Sequence, residues 1–145
     1  MKRVLVVFMI CLVFAACSEE IQPLKQLQKG MPNTIISSTG DVVYDINGEW
    51  DAILDAGPFG TFEDILKITQ EGNKFVGILS IGNVYLDKGS ELIKGELEKN
   101  GFKSIERNTA VGWISSIGKI DEGCNKIVVK TILGGNTLIL TSTRK

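Results

Sequence analysis

The sequence predicts an all-β protein, an antiparallel up-and-down meander of about eight strands that closes as a barrel or rolls strongly. Three observations predict it. From Gly48 onward apolar and polar residues alternate with period two, as they do on strands with one buried face. Glycine-containing breaks recur between the alternating runs, at 71–73, 100–101 and 134–136. The intervals leave no room for the crossover helices that parallel strands would need, so neighbouring strands pair antiparallel.

Taken in order, EWDAILDA (49–56) sets Trp50, Ala52, Leu54 and Ala56 against Glu49, Asp51, Ile53 and Asp55, and DAGPFGTF then turns the chain. ILKITQ (65–70) and KFVGILSI (74–81) flank Glu71-Gly72-Asn73, a short hairpin loop. ELIKGELEK (91–99) meets FKSIER (102–107) across Asn100-Gly101, a dipeptide whose backbone suits a tight hairpin turn. AVGWISSI (110–117), KIVVKTI (126–132) and TLILTST (137–143) complete the series, the last two joined through Gly134-Gly135-Asn136. A short strand is also expected between Asn33 and Asp41.

Parity assigns an inner face. Its large members are Trp50, Leu54, Leu66, Ile68, Phe75, Leu79, Ile81, Ile93, Leu97, Phe102, Val111, Trp113, Ile117, Ile127, Val129, Leu138 and Leu140. Small residues are mixed among them: Ala52, Ala56, Gly77, Gly95, Ser104, Ser115 and Ser142. Eight strands enclose space for packed side chains or one small ligand. The small residues therefore mark either a narrow waist or a cavity, with Gly77, Gly95 and Gly112 placed mid-strand. If there is a cavity, its candidate ligand-binding residues are Trp50, Ala52, Leu54, Gln70, Phe75, Gly77 and Trp113. The opposite face carries Ile53, Ile65, Val76, Ile78, Leu92, Ile114, Val128 and Ile139 among charged residues, which keeps a two-sheet sandwich open.

The amino terminus reads differently. Lys2 and Arg3 precede an uncharged apolar run, Val4 to Phe14, that is short of the roughly 20 residues of a spanning helix. Ala15-Ala16 then lead to Cys17, and Ser18, Glu19 and Glu20 follow. A basic start, a short apolar core and small residues make a secretory signal. The cysteine in register with it resembles the lipobox of bacterial lipoproteins, with Phe14 where that pattern usually has leucine. The resemblance implies cleavage before Cys17, lipidation of that residue and anchorage in the cell envelope. With Ser18 rather than aspartate next, it implies the outer membrane in a Gram-negative host. The expected organisation is a signal over 1–16, a lipidated Cys17 with a tether over 17–33, and one barrel domain over 34–145.

Loss of Lys2 and Arg3 with the signal takes the 16 basic residues to 14 against 17 acidic ones, a net charge of −3. There is no basic cluster, which argues against a nucleic-acid partner. The chain has 0 histidines. That removes Ser-His and Cys-His nucleophile pairs and histidine-containing zinc sites from consideration. With Cys11 in the signal and Cys17 lipidated, Cys124 is left in the turn DEGCN as a small, partly buried residue. Among the carboxylates, Asp51 and Asp55 lie about 13 Å apart on one strand face, too far for a paired acid and base, and Glu63 and Asp64 point to opposite faces. Solvation is expected for all four. Neither DINGE (45–49) nor DEG (121–123) has calcium-loop spacing, and GPFG and LGGN read as turns rather than phosphate loops. No catalytic residue, metal or cofactor is predicted.

Gly48-Glu49-Trp50, in NGEWDA (47–52), is similar to the opening of the calycin barrels, the group of lipocalins, avidins and fatty-acid-binding proteins. The resemblance implies that Trp50 closes the barrel bottom and that a basic residue from the last strand, here Arg144, stacks on it. The function expected is non-enzymatic: a lipid-anchored envelope protein that binds a small apolar ligand or an envelope partner. An inhibitor or assembly factor with a filled core is the alternative, and a carboxylate-dependent enzyme a minor one.

Overall fold

A computed structural model describes residues 33–37, 40–99 and 101–145. The expected signal, the lipidation site Cys17 and nearly all of the tether lie outside the described residues, as does Asn100. Ten strands are described: β1 (Thr34–Ile36), β2 (Val42–Tyr44), β3 (Gly48–Asp55), β4 (Thr61–Glu71), β5 (Lys74–Leu79), β6 (Glu91–Glu98), β7 (Gly101–Asn108), β8 (Gly112–Ile120), β9 (Lys126–Leu133) and β10 (Asn136–Arg144). β3 to β10 form a closed antiparallel barrel in sequence order, closed where β10 pairs with β3. The sheet is thus a barrel rather than an open roll or a sandwich. β1 and β2 make a separate two-stranded sheet.

Turn chemistry follows the sequence at the β4–β5 and β9–β10 hairpins, whereas Gly101, expected in the β6–β7 turn, begins β7 and pairs with Glu98. Gly134 and Gly135 both have positive φ, 57° and 85°, as the two central positions of a type I′ hairpin require. Gly72 supplies φ 60° between β4 and β5.

Most of the inner face is where parity puts it. Trp50, Ala52, Leu66, Ile68, Phe75, Leu79, Ile93, Leu97, Phe102, Ile127, Val129 and Leu140 are buried together. Two register effects change the rest. Along β8 the inward set is Ser116, Gly118 and Ile120, whereas Val111, Trp113, Ser115 and Ile117 are exposed. The apolar parity of that strand points outward because the barrel narrows there. The ring of Phe102 occupies the space where a Cβ on Gly118 would stand, and Ser104 and Ser116 hydroxyls hydrogen-bond at 2.6 Å. Between β5 and β6, Gly77 pairs with Ile93 but Ile78 with Glu91, so Leu92 is an extra residue and is buried beside Ile93. A bulge of this kind turns two consecutive residues inward. Leu92 and Ile114 therefore belong to the inside rather than to the outer face. Ile81 is exposed in the β5–β6 loop, and Gly112 begins β8 with φ 84° instead of lying mid-strand.

One end of the barrel is closed. Ile46, fully buried, lies against it with Val43 from β2. Trp50 is also fully buried, its Nε1 donates to the Ile46 carbonyl at 3.0 Å, and the Arg144 guanidinium lies 4.5 Å from its ring centroid. Arg144 donates to the carbonyls of Cys124, Asn47 and Asp45, tying the last strand to the β8–β9 turn and to the segment before β3. Cys124 is fully buried, not partly, and has φ 52° in that turn. Burial pushes its thiol upward, and Arg144 offsets part of that shift. Phe75 and Phe102 meet edge to face at 4.9 Å above this layer.

Candidate functional site

At the other end, where the β3–β4, β5–β6, β7–β8 and β9–β10 connections lie, the barrel holds a cavity of about 200 Å³. It forms because the narrow layer stops short of the mouth. On β7 the inward series runs Phe102, Ser104, Glu106, and Ser116 stands opposite both Ser104 and Thr131. Glu106, the next inward position toward the mouth on β7, and Thr131, opposite Ser116 on β9, are the cavity floor. Leu54, Phe62, Leu92, Ile114 and Leu138 form apolar walls.

The β5–β6 loop supplies one side, and a carboxylate holds it. Asp64 Oδ1 accepts from the backbone N–H of Ile65, Ser80 and Ile81, and Oδ2 accepts from Gly82 at 2.8 Å. Asn83 Oδ1 accepts from the N–H of Tyr85 and Leu86. Tyr85 packs edge to face on Phe62, ring centroids 5.4 Å apart. The wall of Asn83, Tyr85 and Leu86 is therefore held by hydrogen bonds from backbone N–H groups to the Asp64 and Asn83 side chains.

Two acidic residues are buried here. Asp64 is 9% exposed, so its expected solvation does not hold; it is an inward residue by the same parity as Leu66 and Ile68. Glu106 is 6% exposed. Thr131 Oγ1 donates to its Oε2, while Oε1 has no partner among the described residues. Burial pushes the Glu106 carboxyl above its ordinary value, and the Thr131 hydroxyl works the other way by a smaller amount. Asp51, Asp55 and Glu63 are exposed, and Asp51 pairs with Lys145 at 3.6 Å. Among the described residues no group of three Cys, Asp or Glu side chains is arranged to hold a metal ion.

The residues expected to line a pocket are spread over four places. Leu54 lines the cavity. Trp50, Ala52, Phe75 and Gly77 belong to the packed interior below it; a Cβ on Gly77 would stand 2.8 Å from Ile93 Cγ2 and 3.1 Å from Leu66 Cδ1. Gln70 serves the closed end: its Oε1 accepts from Ile46 N–H at 2.8 Å, and its Nε2 donates to the carbonyls of Tyr44 and Gly72. Trp113 stands on the outer wall with the Lys94 ammonium 4.2 Å from its ring centroid. Glu106, Ile114 and Leu92 are missing from the sequence expectation. Parity with Phe102 and Ser104 places Glu106 inward; the other two depend on the β8 register and the β6 bulge.

No protein-family model matches this chain, and no curated protein matches it significantly.

Proposed function

We propose that this is a lipid-anchored envelope protein, non-enzymatic, whose barrel binds a small apolar molecule at its open end. The observation that carries the binding role is the cavity of about 200 Å³, with largely apolar walls that include Leu54, Phe62, Leu92, Ile114 and Leu138 and a loop wall held by hydrogen bonds. Its size suits a compact ligand: an apolar cavity of about 150 Å³ admits benzene, whereas drug-sized ligands occupy roughly 300–1,000 Å³. The stack of Arg144 on Trp50, with Gly48 two residues before it, supports a calycin-like reading of the barrel. The absence of histidine from the sequence favours binding over turnover. Anchorage rests on Lys2, Arg3, the apolar run and Cys17, and the second acyl chain of a lipoprotein would make attachment stable.

One experiment addresses both halves. The full chain is extracted from the membrane fraction, moved into amphipol and weighed intact under denaturing and native conditions. The denatured mass is expected to be that of a chain beginning at Cys17 with acyl groups; an unmodified chain retaining residues 1–16 would end the anchorage proposal. The native mass is expected to exceed the denatured one by a discrete small molecule. Equal masses from the native host would end the carrier proposal and favour the protein-partner alternative.

A further inference from the structure

We propose that the cavity selects a small molecule with an apolar body and one hydrogen-bond donor, an alcohol or an amine, and rejects the matching carboxylate. The inference rests on the binding role proposed above and adds the chemistry of the ligand's polar group.

The floor residue decides it. Glu106 is more than nine-tenths buried, one of its oxygens accepts from Thr131, and the other has no partner among the described residues. Buried polar atoms in folded proteins are almost always paired, so an unpaired oxygen on a carboxyl that lines a cavity calls for a donor, which a ligand there can supply. The terminal torsion of a glutamate is broad, and rotation presents either oxygen to the cavity. Glu106 is the one carboxylic acid among the described lining residues; the other titratable ones are Tyr85 and Arg107. Arg107 lines the mouth but is exposed, and only burial and the Thr131 hydroxyl bear on the Glu106 carboxyl, so the floor charge is not offset by Arg107.

A carboxylate ligand would bring a second acid into the same small apolar space, where two carboxyls cannot both ionise without heavy cost. An alcohol supplies one O–H to Glu106. An ammonium supplies N–H and a charge opposite to the ionised carboxyl. Either source completes the same hydrogen bond, and hydrogen bonds to charged groups are the stronger kind.

Four probes of equal girth test this with the full chain in amphipol: toluene, benzyl alcohol, benzylamine and benzoate, with affinities from ligand-observed NMR. Benzyl alcohol or benzylamine is expected to bind about tenfold or more tighter than toluene, and benzoate weaker than toluene. A tighter alcohol assigns a neutral donor and a tighter amine an ion pair, and both support the inference. In Glu106→Leu the donor preference is expected to be lost, with benzyl alcohol and benzylamine binding no tighter than toluene. Glu106→Gln, the shape-conserving change, is expected to raise benzoate affinity about tenfold. Equal binding of all four probes, or benzoate binding as well as the alcohol, overturns the inference and leaves the small-molecule role standing. Failure of all four, toluene included, overturns both.

Discussion

Glu106 sits in an apolar cavity with its carboxyl pushed above the ordinary value of 4.5 by burial, and this has a consequence for stability. A folded-state value above the unfolded one means that the native protein binds more protons than the unfolded chain between the two. The protein is therefore most stabilised by this group at or below 4.5 and loses that contribution as pH rises toward the folded value. The slope is at most about 1.4 kcal/mol per pH unit for one group. In Glu106→Gln this titration is absent while other groups titrate as before. Wild-type stability minus variant stability should fall as pH rises above 4.5. Urea melts at each pH measure it, and a flat difference would show that the carboxyl is not desolvated. The position was legible: Phe102, Ser104 and Glu106 share one face, but a charge near a strand end ordinarily reads as solvated. Its unpaired oxygen was not legible, because only the structure brings Thr131 and not a second donor to it.

Among the elements, β8 shows where alternation stops reporting direction. Its apolar residues Trp113 and Ile117 face outward, and its small residues Ser116 and Gly118 face inward, because Phe102 from β7 already fills the barrel at that height. Hydrophobic parity assumes that inward positions are large; a narrow barrel needs some to be nearly empty. On β4 and β9 alternation places the apolar residues correctly because each carries large inward side chains, Leu66 and Ile68 on β4 and Val129 on β9. The pairing of Gly118 with Phe102 makes a coupled prediction. Gly118→Ala should cost about 1–3 kcal/mol or more, since the new methyl group overlaps a buried ring. Phe102→Ala alone should cost about 3–5 kcal/mol. The double variant should be less destabilised than the two changes added together by about 0.5–3 kcal/mol, because the alanine at 118 then enters the space that the ring vacates. Chemical denaturation of the four proteins closes the cycle, and simple additivity would place the Phe102 ring elsewhere.

Across the whole molecule the barrel is divided into a packed part and an empty part. From Trp50 and Arg144 at the closed end to the Ser104–Ser116 layer the interior is filled; beyond Glu106 and Thr131 it is not. The eight-strand antiparallel meander was legible from alternating runs with hairpin breaks, but its closure and the height of this division were not. That height depends on the β8 register, on the Leu92 bulge and on how Asp64 holds the β5–β6 loop over the mouth, none of which a period of two encodes. The division predicts that two enlargements on inward positions behave in opposite ways. Ile114 lines the cavity and is half-buried, so Ile114→Trp puts its extra volume into empty space. Toluene affinity should fall at least about tenfold, while stability stays level or rises by about 0.5–2 kcal/mol, as cavity filling commonly does. Gly77 lies in the packed part, against Ile93 and Leu66. Gly77→Leu should instead destabilise the fold by at least about 1–3 kcal/mol, and any loss of toluene binding should track the unfolded fraction. Thermal melts beside the same NMR titration separate the two outcomes. Should Gly77→Leu fold normally and Ile114→Trp unfold, the empty space would lie below the serine layer, and the ligand would have to be sought against Trp50 rather than Glu106.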